Sequence, residues 1–224
     1  MHLDKDLGNG LFLTFGTPIF QKTMTGSEAA NKGLRDILLR RERAQPQFKT
    51  GKLNRSNLGG WRSEPDLLSW PEPEIRPLGN WIRDSLQAVW QLAAPPTGTP
   101  ATPEYNVVAW ANINRDGNYN VVHNHANQHW SGVYYVSVGK PDPDRPLNGI
   151  FEFHDPRPAA GMTITPGFEF GNKLTIQPKP GLMLLFPSWM MHFVHPFFGK
   201  GERISIAFNA RATRLVPVGP VARR

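Results

Sequence analysis

Cysteine is absent from this chain, which excludes disulfides and thiolate metal sites and removes redox chemistry as a guide to compartment. Long apolar runs are missing too, and no stretch approaches the roughly 20 residues needed to cross a bilayer. The opening "MHLDKDLGNGLFLTFG" carries acids where a secretory signal needs a basic region, and its apolar run is broken by glycine. The expectation is a soluble cytoplasmic protein with no membrane partner. Nor is there a basic stripe interleaved with aromatics. The net charge of +7 is scattered, with clusters only at "LRRER" (39–43) and the terminal "ARR" (222–224). No nucleic-acid partner is expected on that basis, whereas a small anionic ligand needs only one or two arginines.

What is plentiful is punctuation. With 22 prolines and 21 glycines among 224 residues, the composition suits short strands and turns better than a helical bundle. Seven tryptophans and thirteen phenylalanines supply the bulk of a dry interior and exclude the disordered class. The length fits one domain with one sizeable core.

Residues 11–20, "LFLTFGTPIF", are β-prone. "SEAANKGLRDILLRRER" (27–43) reads as an amphipathic helix with Ser27 as its cap. Residues 45–66 read as a loop whose "GGWRS" is either a lid or plain surface. In "EIRPLGNWIRDSLQAVWQLA" (74–93), Leu78, Trp81, Ile82, Leu86, Val89 and Trp90 fall near helical spacing, and "APPTGTP" (94–100) marks a boundary. From residue 104 the character changes. "YNVVAWANINR", "YNVV", "SGVYYVSV", "GIFEFHD", "KLTIQP", "GLMLLFP", "MHFVHPF" and "RISIAFNA" are short β-prone segments separated by turn residues. The expected fold is mainly β with flanking helices, a double-sheet jelly roll over residues 101–213. Residues 1–100 supply a strand and helices packed on that core within the same domain, and 214–224 form a tail.

The chemistry concentrates in "NYNVVHNHANQHWSGVYYV" (118–136), where His123, His125 and His129 fall within seven positions. On a strand, residues i and i+2 share a face, so His123 and His125 project together and suit a divalent metal. A third ligand must come from elsewhere, and "GLMLLFPSWMMHFVHPFFGKGERISIAFNA" offers His192. In "RISIAFNAR", Ile204, Ile206 and Phe208 share one face of a strand, while Arg203, Ser205, Ala207 and Asn209 share the other. An arginine on an otherwise core-like strand is costly to bury without an anion. A guanidinium with a hydroxyl two residues on is good chemistry for a carboxylate.

An H-x-H pair, a distant histidine and an R-x-S after it resemble the Fe(II)- and 2-oxoglutarate-dependent oxygenases. "WANINRDGNYNVVHNHANQHWSGVYYV", "DPR", "PGLMLLFPSWMMHFVHPF" and "ERISIAFN", with "GTPIF" and "GWRS" upstream, are similar to an oxygenase family marked by H-x-H followed by SGVYY. The resemblance implies a prolyl-hydroxylase-like double-stranded β-helix. It also implies an enzyme that uses O2 and 2-oxoglutarate to hydroxylate an unidentified substrate, with release of succinate and CO2. "HFVHP" resembles the family's "HEVxP", which makes His192 rather than His195 the distal ligand. Arg203 matches the arginine that holds the C5 carboxylate of 2-oxoglutarate, Ser205 is its companion, and Tyr135 matches a position whose hydroxyl reaches the same carboxylate.

The family pattern usually has a carboxylate as second ligand, and none stands at that spacing. With His123 first, His125 replaces the acid. With His125 first, Asn127 takes that place as a weak ligand. Imidazole is the better Fe(II) ligand, which favours His123, His125 and His192 as both the metal ligands and the catalytic centre. Three neutral histidines with Fe(II) carry +2, which dianionic 2-oxoglutarate neutralises; zinc or nickel would also bind such a set. Two alternatives stay open: a cupin-like three-histidine metalloenzyme that does not use 2-oxoglutarate, and a jelly-roll binding module without catalysis.

The remaining candidates read as structural: His129, His154 and His195 as hydrogen-bonded histidines, Asp155 as a turn former before proline, and Glu152 as solvent-facing. Arg203 could instead pair with Glu202. Trp110, Asn112 and Asn114 alternate along one strand and could line the pocket.

Overall fold

The computed structural model describes residues 5–45, 56–93, 101–162, 164–166, 168–169, 171 and 173–217. The boundary expected at 94–100, residues 46–55 of the expected loop and the terminal 218–224 lie outside them. Strands β1 (Lys5–Gly8) and β2 (Leu11–Leu13) form a hairpin, and β3 (Phe20–Thr23) leads into helix α1 (Ser27–Ala44). The two-residue strands β4 (Asn57–Leu58) and β5 (Trp61–Arg62) precede helix α2 (Ile75–Ala93). Then come β6 (Ala101–Asn114), β7 (Asn118–His123), β8 (Trp130–Pro141), β9 (Phe151–His154) and a small hairpin of β10 (Ile164–Thr165) with β11 (Phe168–Glu169). The chain ends with β12 (Lys173–Ile176), β13 (Leu182–Pro187), β14 (His192–Phe197) and β15 (Gly199–Pro217).

These strands build two antiparallel sheets, one in the order β3-β13-β8-β15-β6-β5 and the other β12-β9-β14-β7-β4. From β6 to β9 and again from β13 to β15 the chain alternates between the sheets, as a double-stranded β-helix requires. The central strands of the larger sheet, β13 and β8 among them, have two buried faces. Along "SGVYYV", Val133 and Tyr135 point between the sheets, whereas Tyr134 and Val136 join the layer beneath the helices. The doubled tyrosine serves both: the Tyr134 hydroxyl donates to Asn31 Oδ1 of α1 at 2.7 Å, pinning the helix to the sheet.

Helix α2 buries Ile75, Leu78, Ile82, Leu86 and Val89 at i, i+3/i+4 spacing against the outer face of the larger sheet, where Ala109, Ile113, Ile204, Ile206 and Phe208 meet them. Helix α1 adds Leu34 and Leu38 to that layer. Its cap differs from expectation. Gly26, in the left-handed region at φ 75°, is the N-cap, and Ser27 is the first helical residue. Ser27 is buried in contact with Gly181, a close approach that only glycine permits there, so its hydroxyl is not available to cap.

The described part of the expected loop, from residue 56 on, is neither lid nor plain surface. β4 pairs with β7 in the smaller sheet and β5 with β6 in the larger, so "NLGGWR" bridges the two sheet edges. Gly60 makes this possible, because a Cβ there would lie against Asn114 Oδ1 and 2.9 Å from the Ile113 carbonyl oxygen. None of the described helices is long and apolar enough to cross a membrane.

Candidate active site

His123, His125 and His192 come together between the sheets at one end of the sandwich. His123 is the last residue of β7 and stands directly opposite His192, the first residue of β14. His125 is not on the strand: it lies just beyond β7, held by its N–H to the Ser188 carbonyl at 3.0 Å. One ring nitrogen from each of the three lies within 4.8 Å of the others. Such a face of three neutral nitrogens suits Fe(II), Ni(II) or Zn(II).

Local backbone bonds set the ring orientations. His123 Nδ1 lies 2.7 Å from the Val121 carbonyl oxygen and His192 Nδ1 2.9 Å from that of Met190. A carbonyl can only accept, so each Nδ1 carries the proton and Nε2 is left bare for a metal. Phe151 stacks on His192 at 5.4 Å between centroids, and Phe186 packs edge-on at 5.0 Å, which keeps that side dry. Burial, with help from the neighbouring imidazoles, pushes the His192 pKa down to about 3. Burial, His123 and Arg62 together push His125 down to about 4, and burial also lowers His123. All three are neutral at pH 7, the form that binds metal.

Asn209 is the site residue whose role the sequence did not disclose. It follows Arg203 and Ser205 on the inward face of β15, and its amide Nδ2 lies 3.3 Å from His125 Nδ1. Its Oδ1 accepts from Ser131 Oγ at 2.8 Å, and Ser131 Oγ lies 2.8 Å from Ser188 Oγ. A half-turn of the amide would present Oδ1 to His125 Nδ1 and Nδ2 to Ser131, giving His125 the tautomer of its two neighbours. The network accepts either arrangement because both serine hydroxyls can donate or accept.

The slot between the sheets runs from the histidines to Arg203, and Tyr135, Ser205, Asn112 and Asn120 also line it. Arg203, Ser205 and Tyr135 are all buried. The guanidinium of Arg203 sits 5.2 Å from the Tyr135 ring centroid, and its Nε donates to the Gly149 carbonyl at 3.3 Å. Among the described residues, neither Arg203 Nη2 nor the Tyr135 hydroxyl has a hydrogen-bond partner. Burial lowers the Arg203 pKa and raises that of Tyr135 to about 12, so at neutral pH the one is a cation and the other a neutral donor. Glu202 is not the counter-ion of Arg203, because it faces the other way and pairs with Arg35 at 2.7 Å. A buried cation with an unmet donor, beside an unmet hydroxyl, is a receptor for an anion.

Tyr135 reaches this face through a register shift. Ile204 pairs with Ser137, but the next residue, Ser205, pairs with Tyr135, so Val136 is bulged out. Without the bulge Tyr135 would oppose Ile206 and point toward the helices.

The other candidates fall outside this centre. His129 Nδ1 accepts the Ala212 N–H at 2.8 Å, and Asp155 holds the turn that contains Arg157 through that residue's N–H and guanidinium. Glu152 corrects the expectation of a solvent-facing acid: it is 7% exposed. It does point away from the slot, yet His195 at 3.0 Å, Lys173 at 3.2 Å and His154 at 3.4 Å cover it. Burial alone would raise its pKa, but the bonds from His195 and Lys173 outweigh that and hold it below the usual value. Trp110 and Asn112 do line the slot, whereas Asn114 does not.

Residues 108–209, which span every one of these site residues, match the family described as "Putative 2OG-Fe(II) oxygenase". No curated protein matches the chain in sequence. Among solved structures, a prolyl-4-hydroxylase from Pseudomonas putida superposes with a TM-score of 0.58 at 14% identity, over 88% of this chain and 94% of that one. The viral collagen prolyl hydroxylase of Paramecium Bursaria Chlorella virus-1, solved with 2OG, gives 0.56 at 14% identity, over 88% and 98%. HygX from Streptomyces hygroscopicus, solved with nickel and 2-oxoglutarate bound, gives 0.56 at 14% identity, over 88% and 83%. At such identities the likeness establishes the fold.

Proposed function

We propose that the chain is a 2OG-Fe(II) oxygenase, the family that residues 108–209 match, in which His123, His125 and His192 hold Fe(II) while Arg203, Ser205 and Tyr135 hold 2-oxoglutarate. The reaction is hydroxylation of a substrate C–H bond: O2 gives one oxygen atom to the substrate and one to the succinate formed as 2-oxoglutarate loses CO2. The bound metal supplies the O2 activation. We place the reaction in the cytoplasm, where 2-oxoglutarate is a common metabolite, with the β-helix of residues 101–213 as catalytic core and the preceding helices as its buttress.

The observation that carries this reading is Arg203. A fully buried guanidinium is unfavourable unless an anion meets it, and among the described residues no carboxylate does. 2-Oxoglutarate would supply one carboxylate to Arg203 and the Tyr135 hydroxyl and bring its other end to the metal. Its two negative charges offset the +2 of Fe(II) with three neutral imidazoles, so that with Arg203 included the filled slot carries +1 rather than the +3 of the metal and arginine without it. A cupin-like enzyme without 2-oxoglutarate has no use for Arg203 at this depth.

Each residue has a defined task. The Val121 and Met190 carbonyls hold two imidazoles in the metal-binding tautomer. Phe151 and Phe186 exclude water from the far side of His192. Ser205 adds a hydroxyl to the face shared with Arg203. The test is an anaerobic titration of Fe(II)-loaded protein with 2-oxoglutarate, followed by the visible metal-to-ligand charge-transfer band of the chelate. A saturable band in wild type that shifts to much higher concentration in Arg203→Ala supports the reading; iron bound without any band defeats it.

A further inference from the structure

Asn112 is 6% exposed and lines the slot, yet only half of its side-chain amide is bonded. Its Oδ1 accepts from Asn57 Nδ2 at 3.3 Å, whereas among the described residues its own Nδ2 donates to nothing. Which end faces the slot is not arbitrary. Asn57 Nδ2 also donates to the Trp61 carbonyl at 3.2 Å, and a carbonyl can only accept, so the Asn57 amide cannot be turned round. The second hydrogen of that Nδ2 needs an acceptor too. That requirement fixes Oδ1 of Asn112 toward Asn57 and leaves its Nδ2 to the slot. Asn57 belongs to β4 of the smaller sheet and Trp61 to β5 of the larger, so the bridge between the sheet edges is what holds this amide in one orientation.

The register places this donor beside the anion receptor. Ser205 of β15 stands opposite Tyr135 of β8 on one side and Asn112 of β6 on the other, and residues paired in this way carry their Cβ atoms about 4.5–5.5 Å apart on one face. Arg203, two residues before Ser205, shares that face. Tyr135, Ser205 and Asn112 thus form a row of three neutral donors across the sheet, next to one cation. No carboxylate is among the described residues that line the slot. A second cavity, of about 570 Å³, opens onto Trp110, His123 and His125 from outside, and Asn112 is not part of its wall. The acceptor that Asn112 awaits is therefore on the occupant of the slot, not on a molecule that approaches the metal from the outer cavity.

We propose that Asn112 is a further 2-oxoglutarate-binding residue, whose Nδ2 donates to the carboxylate held by Arg203 and Tyr135, and that Asn57 is the residue that positions it. The inference rests on the oxygenase reading for the identity of the slot's occupant. An amide suits the place chemically. A carboxylate offers about four lone-pair sites, more than Arg203 and Tyr135 fill with one bond each, and an amide adds a donor without the cost of burying a second cation.

The test is a calorimetric titration of the full chain, loaded with redox-silent Ni(II), with 2-oxoglutarate. Asn112→Leu is expected to weaken 2-oxoglutarate binding by about tenfold to a hundredfold, the range of one hydrogen bond to a charged group, while Ni(II) affinity stays at the wild-type value. Asn112→Ala serves the same comparison if leucine is not accommodated. Asn57 does not line the slot, so Asn57→Leu should act only through Asn112: it weakens 2-oxoglutarate binding by itself and adds nothing once Asn112 is leucine. Unchanged 2-oxoglutarate affinity in the Asn112 variants, or a parallel loss of Ni(II), overturns the proposal, and an Asn57→Leu effect that persists in full in the double variant overturns the positioning role. Binding of 2-oxoglutarate to the wild type, measured first, separates the two failures: without it the oxygenase reading falls, whereas binding that is indifferent to Asn112 removes only this residue.

Discussion

His123 and His192 face each other across the β7–β14 pair with their ring centroids 4.2 Å apart, each turned by a hydrogen bond to the carbonyl two residues before it. The two strands are antiparallel neighbours in the smaller sheet, and His125 reaches the same point from beyond the end of β7. A face of this kind is preorganised: the rings are fixed before any metal arrives.

Removing a ligand should therefore abolish the metal site without unravelling it. His192→Ala is expected to weaken Fe(II) or Ni(II) binding by on the order of 100-fold or more, because even partners that only orient a ligand contribute about 10–100-fold. His195→Ala should leave metal content unchanged. Metal analysis after gel filtration distinguishes them, and full metal content in the His192 variant would rule out its role.

The depressed histidine pKa values make the metal-free protein acid-sensitive. His192 and His125, pushed down to about 3 and about 4 by burial, stay neutral in the folded chain while the unfolded chain takes up protons near pH 6.5. The unfolded state binds more protons in that window, so stability is fully present above about pH 7 and falls as pH drops toward 4, by up to about 1.4 kcal/mol per pH unit for each histidine. Thermal melts of chelator-treated protein between pH 7.5 and 4.5 should show this slope, and His192→Phe should flatten it.

Arg203 should be dispensable for stability and essential for 2-oxoglutarate. Replacing a buried unpaired cation with an apolar side chain of similar length is often neutral or stabilising. Arg203→Met is thus expected to melt at or above the wild-type temperature in the absence of ligand, yet to gain nothing from added 2-oxoglutarate. Tyr135→Phe removes one donor and should cost about tenfold in 2-oxoglutarate affinity, against about 100-fold or more for Arg203→Met. Equal ligand-induced shifts in wild type and Arg203→Met would contradict the assignment.

Asn209 should tune the metal through His125. With its Oδ1 turned to Nδ1, it fixes the tautomer that leaves Nε2 bare; Asn209→Leu removes that control and is expected to raise the metal Kd about 10–100-fold. Asn209→Asp, which can only accept from Nδ1–H, should bind metal at least as tightly as wild type. The opposite ranking of the two variants would refute this role.

Gly132 explains why "SGVYY" begins as it does. A Cβ there would lie against Phe208 Cζ and 2.6 Å from the Leu184 carbonyl oxygen, on neighbouring strands of the larger sheet. Gly132→Ala is expected to destabilise the fold by about 2–4 kcal/mol, seen as a lower urea midpoint. An unchanged midpoint would mean that the β8–β13–β15 spacing relaxes freely.

Much of this was legible in the sequence because it is local. Helix α2 follows from the spacing of Leu78, Ile82, Leu86 and Val89, and the inward row Arg203, Ser205, Ala207 and Asn209 follows from the two-residue period of a strand. His123 and His125 were paired by the same rule, although His125 lies past the strand end and arrives by its bond to Ser188 instead. The tertiary structure decided what depends on register between distant segments. A bulge at Val136 turns Tyr135 toward Arg203, the β4–β5 bridge carries Arg62 to Trp110, and side chains from β12 and β14 close over Glu152. Periodicity assigns a side chain to a face of its own strand, but what lies across from it is set by pairing partners tens of residues away. A shift of one residue in that pairing reverses the face.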